Sequence, residues 1–110
     1  MEARAIAKTL IVSPIKARLT IDMIRGKKAV DALDILNNTN TKPARLTLKV
    51  LNSAIANAVN NNGAKVEELY VKESRVDGGP VLKRHMFDSR SHIGHNDKRT
   101  SHIVIVVATK

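Results

Sequence analysis

Alternation of small or apolar residues with Arg4 and Lys8 predicts a first strand over Glu2 to Val12. A helix is expected to follow, because Ser13 is a good N-cap residue and Pro14 suits the first helical position. We expect this helix to extend to Arg25 and to be closed by Gly26 in a left-handed conformation. Its large apolar residues recur at four-residue spacing, and they are Ile15, Leu19 and Met23.

Two further helices are predicted before the chain returns to strand. The first covers about Lys28 to Asn37, and an Asn/Thr-rich turn follows it. The second covers about Pro43 to Asn61 and ends before Gly63. Each carries an apolar stripe at helical spacing, namely Ala29, Ala32, Leu33 and Leu36 in the shorter helix, and Ala44, Leu48, Leu51, Ile55 and Ala58 in the longer one.

The last third of the chain predicts two strands separated by a long loop. Val66 to Val76 places Leu69 and Val71 on one face, whereas Ile103 to Ala108 is apolar on both faces and is typical of a central, doubly covered strand. We therefore predict an α+β fold in which a small three-stranded antiparallel sheet packs on three helices. Residues 1–110 form one domain in this interpretation, and a long β-hairpin protrudes from it.

Composition points to a polyanionic partner. Nineteen basic and ten acidic residues give the 110-residue chain a formal charge of +9, which favours nucleic acid. There is no cysteine to build a disulfide or thiolate metal site. Neither a membrane-spanning run nor a secretory leader is visible in the sequence, so the cytoplasm is the expected location.

The loop between the last two strands is basic and unusually long. It extends from Asp77 to His102, and connections of this length in small domains are usually functional or disordered. Basic residues stand at both of its roots, and such a segment is expected to become ordered against phosphates. These residues are Lys83 and Arg84 on entry, and Lys98 and Arg99 on exit.

Three other interpretations are weaker. His92-Ile93-Gly94-His95 spells a tetrapeptide of class I aminoacyl-tRNA synthetases, but it lies in a loop of a chain too short for that catalytic domain. The four histidines match no known zinc spacing, so we expect neither a metal nor another cofactor, and no enzymatic activity. The segment from Pro14 to Leu36 could form a helix-turn-helix of a DNA-binding regulator, although its second helix offers a poor base-reading set.

Several segments resemble the bacterial large-subunit ribosomal protein L22 family, in order and over nearly the whole chain. They are Ser13 to Leu19, Asp22 to Lys28, Val50 to Ala58, Tyr70 to Glu73, Gly79-Pro80 with Lys83-Arg84, and Lys98 to Ile103. The resemblance implies a structural constituent of the large ribosomal subunit that binds 23S-type rRNA and supports subunit assembly. It also implies a β-hairpin, here residues 79–101, that lines the nascent-peptide exit tunnel.

The resemblance and the charge pattern together give the candidate site. The expected rRNA-binding residues are Lys16, Arg18, Arg25, Lys27, Lys28, Lys83, Arg84, Arg90, Lys98, Arg99, Thr100 and His102. The expected tunnel-lining tip consists of His85, Met86, Phe87, Ser89, Arg90, Ser91 and His92, and it is less basic than is usual in the family. The implied partners are large-subunit rRNA, neighbouring ribosomal proteins and the nascent peptide; neither a membrane nor a second copy of the chain is expected.

Overall fold

The computed structural model describes residues 1–80, 82–87 and 93–109, with the backbone alone described for 82–87 and 93–98. Three helices and five strands occur in these residues. In chain order they are β1 Glu2–Leu10, α1 Pro14–Ile24, α2 Ala29–Asn38, α3 Lys42–Asn62, β2 Leu69–Gly78, β3 Leu82–Phe87, β4 Ile93–Lys98 and β5 Ser101–Thr109.

The body is a three-stranded antiparallel sheet in the order β1-β5-β2, with β5 in the centre. Ile103 on β5 pairs with Ala7 on one side and Val76 on the other. This arrangement confirms the predicted α+β class, with its three helices and three-stranded sheet. It also confirms the central position of the last strand.

One face of β5 belongs to the hydrophobic core and the other lies outside it. Ile103, Ile105 and Val107 are fully buried in the core cluster, whereas Val104 and Val106 are buried without belonging to it. The outer face of β5 is therefore buried, as expected for a doubly covered strand, but it does not contribute to the core cluster. On this face Val104 and Val106 lie opposite residues of the flanking strand β1.

Helix α1 buries a different face from the one that carries its largest apolar residues. Ala17, Ile21 and Ile24 are fully buried, as members of the core cluster. In contrast, Ile15 and Leu19 are 69% and 68% exposed. The helix starts where Ser13 and Pro14 predict, but the Ser13 side chain makes no capping hydrogen bond.

Helix α3 has the boundaries that its sequence indicates. The Thr41 hydroxyl accepts a hydrogen bond from the Ala44 N–H at its start, and Gly63 ends it with a φ of 68°. Both features satisfy helix-end groups that would otherwise lack partners. The buried side of α3 contains the predicted Ala44, Leu51, Ile55 and Ala58, with Leu48 partly buried.

The segment that joins α1 to α2 protects the outer edge of the sheet. Gly26 N–H donates to the Val71 carbonyl at 3.1 Å, and Val71 N–H donates to the Lys27 carbonyl at 2.8 Å. Gly26 has a φ of 76°, as predicted for the residue that closes α1. An edge strand otherwise exposes unpaired backbone groups, so this short pairing stabilises β2.

The stretch before β2 corrects one expectation. Val66–Glu68 forms a 3-10 turn, and the strand begins only at Leu69. The buried face of that strand still includes Leu69 and Val71, as predicted.

Strands β3 and β4 pair antiparallel, from Leu82 opposite Lys98 to Phe87 opposite Ile93. The protrusion of residues 79–101 from the body stays a prediction.

Among the described helices, none is both long and apolar enough to cross a membrane.

Candidate nucleic-acid interface

Three lysines around α1 provide unpaired positive charge. Lys16 lies in the first half of the helix, and Lys27 and Lys28 lie in the segment that pairs with β2. All three residues are exposed, and within the part of the chain whose side chains are described none of them forms an ion pair. We call these residues the connection lysines; they suit contacts with phosphate groups, which do not require a fixed donor geometry.

Two arginines of α1 have structural partners instead. Arg18 donates through Nε and Nη2 to the Val76 carbonyl at 3.4 and 3.3 Å. Arg25 donates in the same way to the Ser74 carbonyl at 3.3 and 2.9 Å, and its Nη1 lies 2.7 Å from a carboxylate oxygen of Asp22. Both arginines are therefore bound to the edge strand, and Arg25 uses three of its five N–H donors inside the protein.

The basic residues of β2 are neutralised locally. Lys72 pairs with Glu2, and Arg75 pairs with both Asp77 and Glu73. The hydrogen bonds to Asp77 and then to Glu73 raise the pKa of Arg75 above its already high value. These pairs are exposed and contribute little stability, but they remove β2 from the set of free positive charges.

The backbone between β2 and β3 is closely packed against the residue that precedes β5. Gly79 N–H donates to the Thr100 carbonyl at 2.9 Å, and the Thr100 hydroxyl donates to the Pro80 carbonyl at 2.5 Å. A Cβ atom on Gly79 would lie 2.4 Å from Oγ1 of Thr100 and 3.2 Å from Cε1 of His102. Only glycine therefore fits at position 79 without a shift of its neighbours.

The end of β1 is tied to the same point. Nδ1 of His102 accepts a hydrogen bond from the Thr9 N–H at 2.9 Å, and the Ser101 hydroxyl donates to the Val12 carbonyl at 2.7 Å. Thr9 has a φ of 55°, within an irregularity of the pairing between β1 and β5. We call this group the neck; its members are Thr9, Gly79, Pro80, Thr100, Ser101 and His102.

Two predicted rRNA-binding residues belong to the neck. Thr100 is 1% exposed and its hydroxyl donates to a carbonyl inside the protein, so its contact with rRNA stays a prediction. The imidazole of His102 is only partly buried, with one nitrogen holding Thr9. Arg99, between β4 and β5, is exposed as predicted.

The remaining predicted site residues lie outside the described side chains. They are the basic residues Lys83, Arg84, Arg90 and Lys98, and the tip residues His85, Met86, Phe87, Ser89, Ser91 and His92.

Sequence reasoning assigned no site role to two cations on β1. Arg4 and Lys8 are exposed and form no ion pair with any described side chain. Arg4 precedes Ile6 by two residues and Lys8 follows it by two, so all three side chains point to the outer face of the sheet. Strand alternation was the available signal, because Ala3 and Ala5 had to face the core.

The helix-turn-helix interpretation does not fit the position of α2. Lys28, immediately before this helix, bridges to Tyr70 on the sheet edge, and Ala29 in its first turn is fully buried. A recognition helix must present its N-terminal residues to the major groove. The start of α2 is instead packed against the body.

Within the described residues, no group of three His, Asp or Glu side chains is placed to hold a metal ion.

The fold and its surface define a small, basic α+β protein whose free cations suit a nucleic-acid backbone. Comparison with known proteins makes this assignment specific. The sequence model of the family described as ribosomal protein L22p/L17e matches residues 5–108, and the chain belongs to this family, whose members are structural and non-enzymatic ribosomal components.

The relatives match over at least 97% of their length. The large ribosomal subunit protein uL22 of Halothermothrix orenii is 54% identical over 110 residues, which cover 100% of this chain and 97% of the relative. The protein of the same name from Thermus thermophilus is 47% identical with the same coverage. That from Mycoplasma mobile is 49% identical, and the match covers all of both chains.

Proposed function

We propose that this chain is a structural constituent of the large ribosomal subunit that binds large-subunit rRNA and lines the nascent-peptide tunnel with residues 79–101. Family membership and the names of the full-length relatives support the first part. The rRNA-binding part is carried by one observation: the connection lysines are exposed and form no ion pair with any described side chain, while nearby arginines are used inside the protein.

The connection lysines are expected to provide much of the affinity for rRNA from the segment that joins α1 to α2. Lys27 and Lys28 are held by backbone pairing to β2, so their side chains start from a fixed position. Each phosphate that they neutralise releases counterions, which makes binding salt-dependent. Arg18 and Arg25 support the same surface by fixing α1 to β2.

The rRNA-binding proposal is tested with a triple variant of the connection lysines, K16Q/K27Q/K28Q. Binding of the purified protein to large-subunit rRNA is measured over a salt series. The slope of log K against log salt is expected to fall by about two to three units, since each lost phosphate contact removes about 0.7–0.9.

A matched control changes the same charge elsewhere. Arg45, Lys49 and Lys65 are exposed, form no ion pair with a described side chain and lie outside the proposed surface, so R45Q/K49Q/K65Q has an identical net charge. Equal slopes for the two triple variants would show that binding follows net charge alone, and the assignment to the helix connection would be wrong.

The tunnel proposal is tested by deleting residues 86–94. Because the neck closes the body below this segment, we expect the deletion to leave the body folded and incorporated into large subunits while it alters the tunnel wall. Loss of the far-ultraviolet circular dichroism signal of the body would contradict the separation of body and hairpin.

A further inference from the structure

Helix α1 exposes an apolar surface that rRNA binding does not explain. Ile15, Leu19 and Met23, here called the ridge, are 69%, 68% and 43% exposed. They recur every four residues and therefore form one line along the helix. The opposite side of α1 is already buried in the core through Ile21 and Ile24. The ridge therefore does not contribute to the hydrophobic core of the chain.

RNA is a poor occupant for such a surface. Proteins contact RNA through hydrogen bonds and charges to phosphate, sugar and base edges, or by stacking bases on planar side chains. Aliphatic side chains supply neither. Their burial is favourable only against other apolar groups, and in a ribonucleoprotein those groups are provided by protein.

A second copy of this chain is also a poor occupant. Three aliphatic side chains offer roughly a few hundred Å², whereas a stable association needs about 800 Å² from each partner. Two copies with a formal charge of +9 each would also repel one another. A contact of this size is useful inside a larger assembly, where other contacts hold the partners together.

The charges beside the ridge describe the partner further. Arg18, next to Leu19 in the chain, is exposed and keeps its positive charge, because its guanidinium binds the neutral Val76 carbonyl and no acidic group among the described side chains. Asp22 is already neutralised by Arg25 at 2.7 Å. The border of the ridge therefore has an excess of positive charge, which a carboxylate on the partner would complement.

We infer that the ridge is the docking surface for an aliphatic segment, bordered by acidic residues, of a neighbouring large-subunit protein. This inference rests on the proposed function, because it places the chain in the large subunit. It adds a protein-binding role to a helix whose predicted role was rRNA binding.

The direct test is site-specific photo-crosslinking in purified large subunits. A photoreactive phenylalanine analogue replaces Leu19, and the matched control has it at Ile6, an aliphatic residue 38% exposed on the outer face of the sheet. The Leu19 probe is expected to form an adduct with one large-subunit protein, through a peptide that contains aliphatic and acidic residues. An adduct with rRNA alone, or the same protein adduct from both positions, would overturn the inference.

A competition experiment measures the contribution of the ridge. The variant I15Q/L19Q is expressed together with the unaltered chain, and its share of assembled subunits is expected to fall about ten-fold, as for the loss of one buried leucine contact. Its urea unfolding midpoint should stay unchanged, because both side chains are exposed. Equal shares would overturn the inference.

The two proposals fail in different ways. If the unaltered chain does not sediment with large subunits, the proposed function itself is wrong. If it sediments there and the Leu19 probe finds no protein, only the docking surface is wrong.

Discussion

A single methyl group at position 79 is expected to disrupt the neck. In the variant G79A, the new Cβ would lie 2.4 Å from Oγ1 of Thr100, well inside van der Waals contact, and 3.2 Å from Cε1 of His102. The Thr100 hydroxyl cannot move away freely, because it donates to the Pro80 carbonyl and its residue is 1% exposed. Either this hydrogen bond breaks or the backbone shifts.

The expected cost follows from these contacts. Overpacking of a closely packed site costs about 1–3 kcal/mol, and loss of the part-buried hydrogen bond from Thr100 to Pro80 costs about 0.5–1.5 kcal/mol. Only one of these two costs applies in full, because a shift that relieves the clash breaks the hydrogen bond. Replacing glycine by alanine also restricts the unfolded chain, which offsets about 0.4–1 kcal/mol of the lost stability. We therefore expect G79A to lower the free energy of unfolding by about 1–2 kcal/mol.

The adjacent glycine provides a matched control. A Cβ atom on Gly78 would meet no described atom within 4 Å, so G78A should be neutral or slightly stabilising. Urea unfolding is measured by circular dichroism, since the chain has no tryptophan for fluorescence. With a slope of about 1–3 kcal/mol per molar urea, the midpoint of G79A should fall by roughly 1 M relative to G78A.

A second change tests the cause. In a T100A background the nearest clashing atom is absent, so the additional cost of G79A should be smaller by at least about 1 kcal/mol. Equal midpoints for G79A and G78A, or an unchanged cost of G79A in the T100A background, would refute the packing argument for the neck.

Three further predictions concern the body, and their effects on stability are checked by the same urea unfolding assay. I21A should destabilise the protein by about 2–5 kcal/mol because Ile21 is fully buried, whereas I15A should remain within about 0.5 kcal/mol; similar costs would contradict the assigned face of α1. T47V should be neutral or raise the free energy of unfolding by about 1 kcal/mol, because the fully buried Thr47 hydroxyl has no hydrogen-bond partner among the described residues. Clear destabilisation would mean that the hydroxyl has one. R25Q should lower the free energy of unfolding by about 1–2 kcal/mol, because the bonds of Arg25 to β2 are lost. K27Q should leave the free energy of unfolding unchanged and should reduce the salt slope of rRNA binding by about one unit. The reverse pattern would contradict the structural role of Arg25 and the rRNA-binding role of Lys27.

The order of helices and strands could be predicted from local signals. Pro14, Gly26 and Gly63 mark helix ends by conformational preferences that depend on one or two residues. The doubly apolar pattern of Ile103 to Ala108 marks the central strand because both of its faces are buried. Such signals need no knowledge of the rest of the molecule.

The buried face of α1 could not be predicted in this way. The helix contains two apolar lines at four-residue spacing, one through Ile15 and Leu19 and one through Ala17 and Ile21. Side-chain size favours the first line, yet the second packs in the core. The choice depends on how closely α1 approaches β2 and α3, where the small Ala17 allows a short distance, and this is a tertiary property.

The roles of the basic residues were also hidden, because charge alone does not distinguish an arginine that binds phosphate from one that binds a carbonyl. Sequence spacing places Thr100 and His102 beside the basic root of the loop, but it does not reveal that both close the neck. Their partners, Thr9 and Pro80, are distant in sequence, so no local pattern connects them.

The two arginines of α1 show why this distinction matters for substitution. Arg18 and Arg25 are seven residues apart, about 10.5 Å along a helix, while the carbonyls that they bind, on Val76 and Ser74, are about 6.7 Å apart along a strand. Long side chains can bridge this mismatch, and in each case Nε and Nη2 of one guanidinium converge on one oxygen. A lysine has the reach and the charge but lacks the planar pair of donors. Arginine-to-lysine changes at these positions should therefore preserve the charge presented to rRNA and still loosen α1 from the strand that leads into the neck.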